Sequence, residues 1–363
     1  MTLNPAISPL AADLDQVLIR TEGLWEALRG KAVFITGGTG FFGRWLLESF
    51  VAANQQFNLD AKAVVLTRHP ELFQSRAANL FVDDAIHLLR GDVRLLNGEA
   101  VCAQLAESVR QPVSHFIHAA ADTSEAGNRQ QPAEVMQTLF EGTRRTLELA
   151  TRLEAESFLF VSSGAVYGEQ PGHLTHLPEN FSGAPDLASP LAAYGEGKRV
   201  AEFLCHAARH QHGLNCKIAR CFAFVGPYLP LDAHFAIGNF IRDVLAGKPI
   251  EIKGDGTPFR SYLYAADLAA WLWTILLRND AAGSFNVGSD EDYSIRQVAG
   301  IVARHAASSP KITVAQPPET GRPIRRYVPD VSRARQQLGL EVWTPLESAV
   351  RKTLEFHQNK SNP

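Results

Sequence analysis

The sequence predicts an α/β fold, a Rossmann-type doubly wound parallel sheet with a smaller mixed C-terminal substrate lobe. Three observations carry this. Short apolar runs alternate with helical stretches between Lys31 and Val161, a glycine cluster follows the first run, and beyond Gly226 the segments shorten and become rich in Pro and Gly. A length of 363 residues allows two domains at about 150 residues each.

In chain order, Leu10 to Arg29 carries Leu14, Val17, Leu18, Leu24 and Leu28 at helical spacing with a break at Gly23, which predicts a helical extension over 1–30. Ala32 to Ile35 is a short continuous apolar run, the pattern of a strand buried on both faces. Arg44 to Val51 reads as a helix, and strands are expected at 63–66, 87–90, 113–118 and 157–161, with a long amphipathic helix over 132–152. The dinucleotide domain is expected over 31–225. Glu169 to Pro190 reads as a long loop over the site, and 226–363 as the second lobe, with 260–278 returning to the first domain.

Composition narrows the function. The chain is 45% hydrophobic and 20% charged with a net charge of -3, which lacks the basic face that nucleic acid requires. Cys102, Cys205, Cys216 and Cys221 form neither a CxxC pair nor a zinc spacing, so reduced thiols of a cytoplasmic protein and no metal are expected. Met1 to Asp15 has no signal-peptide pattern. Ala265 to Leu277 contains Asp267 and falls short of the ~20 residues that span a bilayer, so a buried helix is expected there.

Gly37, Gly40 and Gly43 fit G-x-x-G-x-x-G between a strand and a helix. Such glycines permit a tight turn and close approach of a pyrophosphate to the free N–H groups of the helix. The second strand ends Thr67-Arg68-His69 with no carboxylate for ribose hydroxyls. Arg68 is placed instead to meet a 2′-phosphate, which favours NADP over NAD. Asp92 ends the third strand as a second contact near the adenine.

Tyr194 and Lys198 stand at i and i+4 on one helix face, and Ser163 follows a strand. A phenol needs some 4 kcal/mol of preferential phenolate stabilisation to act as a base near pH 7. A lysine one turn away and a cationic nicotinamide could supply it together.

Gly37/Gly40/Gly43, His118-Ala119-Ala120, Ser163, Tyr194/Lys198, Gly226-Pro227 and Arg260 together resemble the extended short-chain dehydrogenases/reductases, in their nucleotide-sugar epimerase/dehydratase branch. The resemblance covers about residues 31–355. It implies an enzyme with Tyr194 as acid/base, Lys198 lowering its pKa and holding the nicotinamide ribose, and Ser163 orienting the sugar oxygen. It further implies cofactor contacts at Thr39, Phe41, Phe42, Val93, Ala119, Ala120 and Ala121. Substrate contacts are implied at Asn239, Phe240, Arg260 and Arg322, with Arg325 or Arg326 as alternatives to Arg322. A homodimer through helices 132–152 and 194–212 is also expected.

Departures from the family pattern choose among reactions. The 4,6-dehydratases of the family carry Asp-Glu directly after the catalytic hydroxyl residue, and the decarboxylases of UDP-glucuronate keep the glutamate; here the positions are Gly164-Ala165. Ala223 and Leu139 replace asparagines, which leaves the sugar open. The reading is a nucleotide-sugar epimerase or 4-keto reductase acting at C4. The alternatives are a dehydratase or decarboxylase of the same family, or a non-catalytic NADP-binding sensor. His118, at a strand end, reads as structural, and His173, His176 and His234 have no metal spacing and read as loop residues.

Overall fold

The computed structural model describes residues 9–81, 84–121, 125–233, 235–306, 309–318, 321 and 323–361. At its centre lie β1 (Ala32–Thr36), β2 (Lys62–Thr67), β3 (Ile86–Arg90), β4 (Val113–His118), β5 (Ser157–Ser163) and β6 (Cys216–Cys221). With the edge strand Gly283–Val287 they form one seven-stranded sheet in the order Gly283–Val287, β6, β5, β4, β1, β2, β3. Every pairing in it is parallel. The strand order reverses between β1 and β4, so the crevice beyond Thr36 and His118 is the switch point where ligands of such sheets bind.

The helices are α1 (Ala11–Arg20), α2 (Phe41–Phe57), α3 (Pro70–Arg76), α4 (Gly98–Ser108), α5 (Glu125–Gln130), α6 (Pro132–Arg152), α7 (Ala192–His212), α8 (Ala236–Leu245), α9 (Ala265–Leu277), α10 (Ile295–Arg304), α11 (Ser332–Leu338) and α12 (Leu346–Ser361). Side-chain alternation divides the core. Val33, Ile35, Val65, Ile117 and Leu159 face α2 and α9, whereas Phe34, Val64, Phe116, Phe158 and Phe160 face α4, α6 and α7. α9 is apolar on all sides because it is buried on all sides.

The N-terminal extension docks on this same subunit. Arg20 pairs with Asp267 of α9 at 2.7 Å, Tyr264 donates to Asp13 at 2.7 Å, and the Trp25 and Trp273 rings lie 4.8 Å apart. The break expected at Gly23 is there, at φ +79°.

The second lobe holds α8, α10 and a three-stranded sheet of Tyr293–Ser294, Phe259–Arg260 and Arg326–Tyr327. The return to the first domain extends further than expected, because Gly283–Val287 joins the main sheet beside β6. α2 also starts three residues before Arg44, at Phe41. The 169–190 segment has no helix or strand beyond one bridge, Leu177 to Pro329, which ties it to the second lobe. Among the described residues no helix is long and apolar enough to cross a membrane.

Candidate active site

The glycine turn is shaped by two close approaches and one open space. At Gly37, φ is +73°, and a Cβ there would stand 2.6 Å from the Ala119 carbonyl carbon. A Cβ on Gly43 would stand 2.3 Å from the Gly38 backbone, so α2 seats directly on the turn. Gly40 differs, because the only neighbour within 4 Å is the Gly37 carbonyl oxygen at 3.5 Å. It is the N-cap of the 17-residue α2 and supplies no side-chain cap, which leaves the first N–H groups facing that space. A dinucleotide pyrophosphate fits this cradle. Thr39 and Gly40 are exposed at its mouth, with Phe41 and Phe42 half-buried beside them.

At the adenosine end Arg68 is exposed. Its carbonyl accepts from Arg90 at 3.2 Å, and Arg90 also pairs with Glu71. Asp92 is gripped by the Arg94 guanidinium at 2.7 and 3.1 Å, which holds its carboxyl below the ordinary value. Val93 is 9% exposed and packs in the core, so its side chain is not available to a cofactor. Ala119, Ala120 and Ala121 line the turn after β4, where Ala120 N–H donates to Thr36 Oγ1 at 3.2 Å.

β5 delivers Ser163 and α7 delivers Tyr194 and Lys198 to the same strand end. Lys198 is 2% exposed. Its Nζ donates to the Val161 carbonyl at 2.6 Å and sits 5.8 Å from the Tyr194 ring centre. Burial holds this ammonium down to about 8. Burial pushes the Tyr194 phenol up to about 12, while hydrogen bonding with Ser163 works the other way. Ser163 Oγ accepts from Ala165 N–H at 3.2 Å. The site is therefore a neutral phenol beside a buried cation and a hydroxyl. A second positive charge brought against Tyr194 would favour the phenolate.

Facing it, Arg260 is half-buried, donates to the Phe259 carbonyl at 2.8 Å, and pairs with no carboxylate among the described residues. Burial lowers its pKa, which suits it to an anionic ligand. Arg326 is committed to Asp292 and stacks 4.3 Å over Phe259. Arg325 is exposed, with Glu169 at 3.8 Å, so it is the more available of the two. Arg322 lies outside the described residues, as does His234. Asn239 spends its amide N–H groups on the Ala233 and Phe235 carbonyls at 2.7 Å each. Phe240, expected as a substrate contact, is 2% exposed and belongs to the core. Its apolar side chain packs under α8, so only its backbone could meet a ligand.

His118 is locked between Thr36 at 2.7 Å and Thr143 at 3.0 Å, and burial pushes it down to about 3. It is a structural histidine. Among the described residues no group of His, Cys, Asp and Glu could hold a metal ion. Two residues of the site were not legible in the sequence, Phe222 and Tyr327. Their atoms occupy the space beside Gly164, where a Cβ would stand 2.6 Å from the Tyr327 hydroxyl and 2.8 Å from Phe222 Cζ. No sequence spacing points to Tyr327; its neighbours Arg325 and Arg326 drew attention instead.

A family model described as "NAD dependent epimerase/dehydratase family" matches residues 33–288. The chain belongs to this family. Among curated proteins the chain is similar to UDP-glucuronic acid decarboxylase 1 of Xenopus tropicalis, 28% identical over 91% of this chain and 73% of that one. UDP-glucuronic acid decarboxylase 5 of Arabidopsis thaliana is 27% identical over 90% of this chain and 91% of its own. Among solved structures, UDP-glucose 4-epimerase of Thermotoga maritima superposes with a TM-score of 0.75 at 20% identity, over 91% of this chain and all of that one. The protein is accordingly an NAD(P)-dependent oxidoreductase of the extended short-chain dehydrogenase type. The curated relatives stand nearer to the decarboxylase alternative than to an epimerase or 4-keto reductase.

Proposed function

We propose that the protein is a nucleotide-sugar epimerase or 4-keto reductase in which Tyr194 moves the proton of the sugar C4 oxygen. One observation carries the reading: Ser163, Tyr194 and Lys198 stand together at the C-terminal end of β5, while positions 164 and 165 bring no carboxyl to it. A dinucleotide seated on the Gly37–Gly43 turn would supply the oxidation or reduction at C4. Lys198 supports the Tyr194 phenolate and Ser163 holds the C4 oxygen. Arg260 and Arg325 grip the diphosphate. Arg68 favours NADP, and with it the reductive direction. The complete triad argues against a non-catalytic sensor.

Dehydration of a hexose needs one group to take the C5 proton and another to protonate the departing C6 hydroxyl. Gly164 and Ala165 supply neither. Decarboxylation is a second reading, supported by the relatives named above. A uronate oxidised at C4 is a β-keto acid and loses carbon dioxide without a base at C5, so a missing glutamate weighs less against it. Incubation of UDP-, dTDP-, GDP- and CDP-hexoses or UDP-glucuronate with NAD(P), and of nucleotide 4-ketohexoses with NADPH, followed by NMR, separates these outcomes. C4-inverted or C4-reduced products support the proposal, a UDP-pentose supports decarboxylation, and a 4-keto-6-deoxy sugar overturns both.

A homodimer belongs to the same proposal. α6 exposes Phe140 and α7 exposes Phe203, the latter 69% accessible, and Leu187 and Leu191 are exposed just before α7. Apolar side chains on two adjacent helices suit a second copy related by a twofold axis. Sedimentation of wild type and Phe203→Glu checks this, with a dimer expected for the first and a monomer for the second.

A further inference from the structure

We propose that Glu202 is a positioning residue for the reaction: anchored to Ser162 and paired with Arg220 on the far side of Lys198, it governs the charge that Lys198 presents to Tyr194. The inference rests on the reading of Tyr194 and Lys198 as the acid/base pair. Tyr194, Lys198 and Glu202 follow one another at i, i+4 and i+8 on α7, so they run down one side of the helix. Glu202 is buried. Its Oε1 accepts from Ser162 Oγ at 2.6 Å and from Arg220 Nε at 3.0 Å. Its Oε2 accepts from Arg220 Nη2 at 2.7 Å. The sheet register sets Arg220 opposite Ser162 and Cys221 opposite Ser163. One carboxylate thus ties α7, β5 and β6 together directly behind the reacting groups.

A buried ion pair is seldom a net source of stability, but in a dry setting its charges act strongly on an ion nearby. Lys198 is that ion, one helical turn from Glu202. The other groups facing Lys198 are the Phe160 ring at 4.7 Å, the Val161 carbonyl, the Tyr194 phenol, His118, and the Cys205 and Cys221 thiols. At pH 7 burial keeps the phenol, the imidazole and both thiols neutral. The formal charge that Lys198 meets there is therefore that of Glu202, with Arg220 beyond it. Burial lowers the pKa of Lys198, and Glu202 is among the groups that oppose this. Arg220 is fixed in its turn, donating to the Tyr167 hydroxyl at 2.9 Å and the Glu179 carbonyl at 3.0 Å. The pair therefore sits at a set distance from the site, with its negative end toward α7 and its positive end on β6.

The test is the pH dependence of kcat in wild type, Glu202→Gln, Arg220→Gln and the variant carrying both changes. The substrate is whichever nucleotide sugar or nucleotide 4-ketohexose the wild type turns over. In either direction the rate is expected to fall at alkaline pH as Lys198 loses its proton. Glu202→Gln keeps an acceptor for Ser162 and removes the negative charge. The alkaline limb should then move to lower pH, by about one pH unit, the scale on which a neighbouring charge acts. Arg220→Gln removes the positive charge, and the same limb should move to higher pH. The double variant removes both and should return the limb close to wild type. Opposite displacements of one limb are the mark of charge, because lost packing lowers kcat and the melting temperature without a sign. If Glu202→Gln alone does not fold, Arg220→Gln and the double variant carry the same comparison. A limb that stays in place in every variant, or moves the same way in both single ones, overturns the proposal while leaving the reading of Tyr194 and Lys198 standing. A wild type whose kcat does not fall at alkaline pH, or that turns over no such sugar, overturns that reading, and this proposal with it.

Discussion

Tyr194 sits where burial alone would keep it protonated, pushed up to about 12. Its use as a base therefore depends on positive charge placed beside it, and Lys198 at 5.8 Å supplies only part of that. Tyr194→Phe is expected to lower turnover by about 10²–10⁴-fold, the usual contribution of one acid/base group. Dinucleotide affinity should stay near wild type, because the glycine turn holds the pyrophosphate; both quantities measured on one preparation decide this. In the same proposal Arg68 decides the choice of cofactor. Removing its guanidinium in Arg68→Ala should weaken NADPH binding by about ten- to a hundredfold, from a charge-assisted contact worth about 1.5–3 kcal/mol. NADH binding should change little. Equal affinity of the wild type for NADH and NADPH would contradict the assignment.

At the scale of elements, the glycine turn separates structural from ligand-binding roles residue by residue. Gly43→Ala forces a methyl to within 2.3 Å of the Gly38 backbone and should cost about 1–3 kcal/mol of stability, read as a lowered denaturation midpoint. Gly40→Ala meets no such obstacle and should leave that midpoint near wild type while weakening dinucleotide binding, because its methyl enters the ligand's space. The same turn was plainly legible in the sequence, as were β4, α6 and α9, whose bounds follow from uninterrupted periodicity. β6 was not. Lys217 and Arg220 interrupt its apolar run, yet Lys217 is buried and Arg220 half-buried for local reasons. Lys217 caps the C-terminal end of α9 by donating to Leu276 O at 2.6 Å and Arg278 O at 2.8 Å. Arg220 forks onto Glu202 at 2.7 and 3.0 Å. Such charges are invisible as strand residues until their partners, far along the chain, are in place. Tyr327 escaped notice for the same reason, since only the pairing of Arg326–Tyr327 with Phe259–Arg260 carries it to Gly164.

For the whole molecule, buried histidines set the response to acid. His118 and His115 remain neutral in the folded protein down to about 3 and about 4, because burial disfavours their charged forms. In the unfolded chain each binds its proton near 6.5. Between those values the unfolded chain holds more protons, so stability falls as pH falls from about 6.5 toward 4, by about 2 kcal/mol per histidine at pH 5. Melting temperatures at pH 7 and pH 5 should show this drop, and His118→Asn should make it shallower. Lys198 and Lys217, both held down to about 8 by burial, act at the other end, and their contribution to stability rises as pH climbs from about 8 to 10.5. The fold thus keeps Lys198 at the edge of ionisation in the one place where its charge supports Tyr194. Proton and redox chemistry at sugar C4 is the central claim, and isotope transfer tests it most directly. A nucleotide sugar deuterated at C4, where the wild type acts on a C4 alcohol, or NADPH deuterated at the nicotinamide C4, where it acts on a 4-keto sugar, is incubated with the enzyme. The expected result is a primary isotope effect on turnover, with deuterium passed between the sugar C4 and the nicotinamide, and both are lost in Tyr194→Phe. Turnover with no isotope effect and the label untouched at C4 would contradict it.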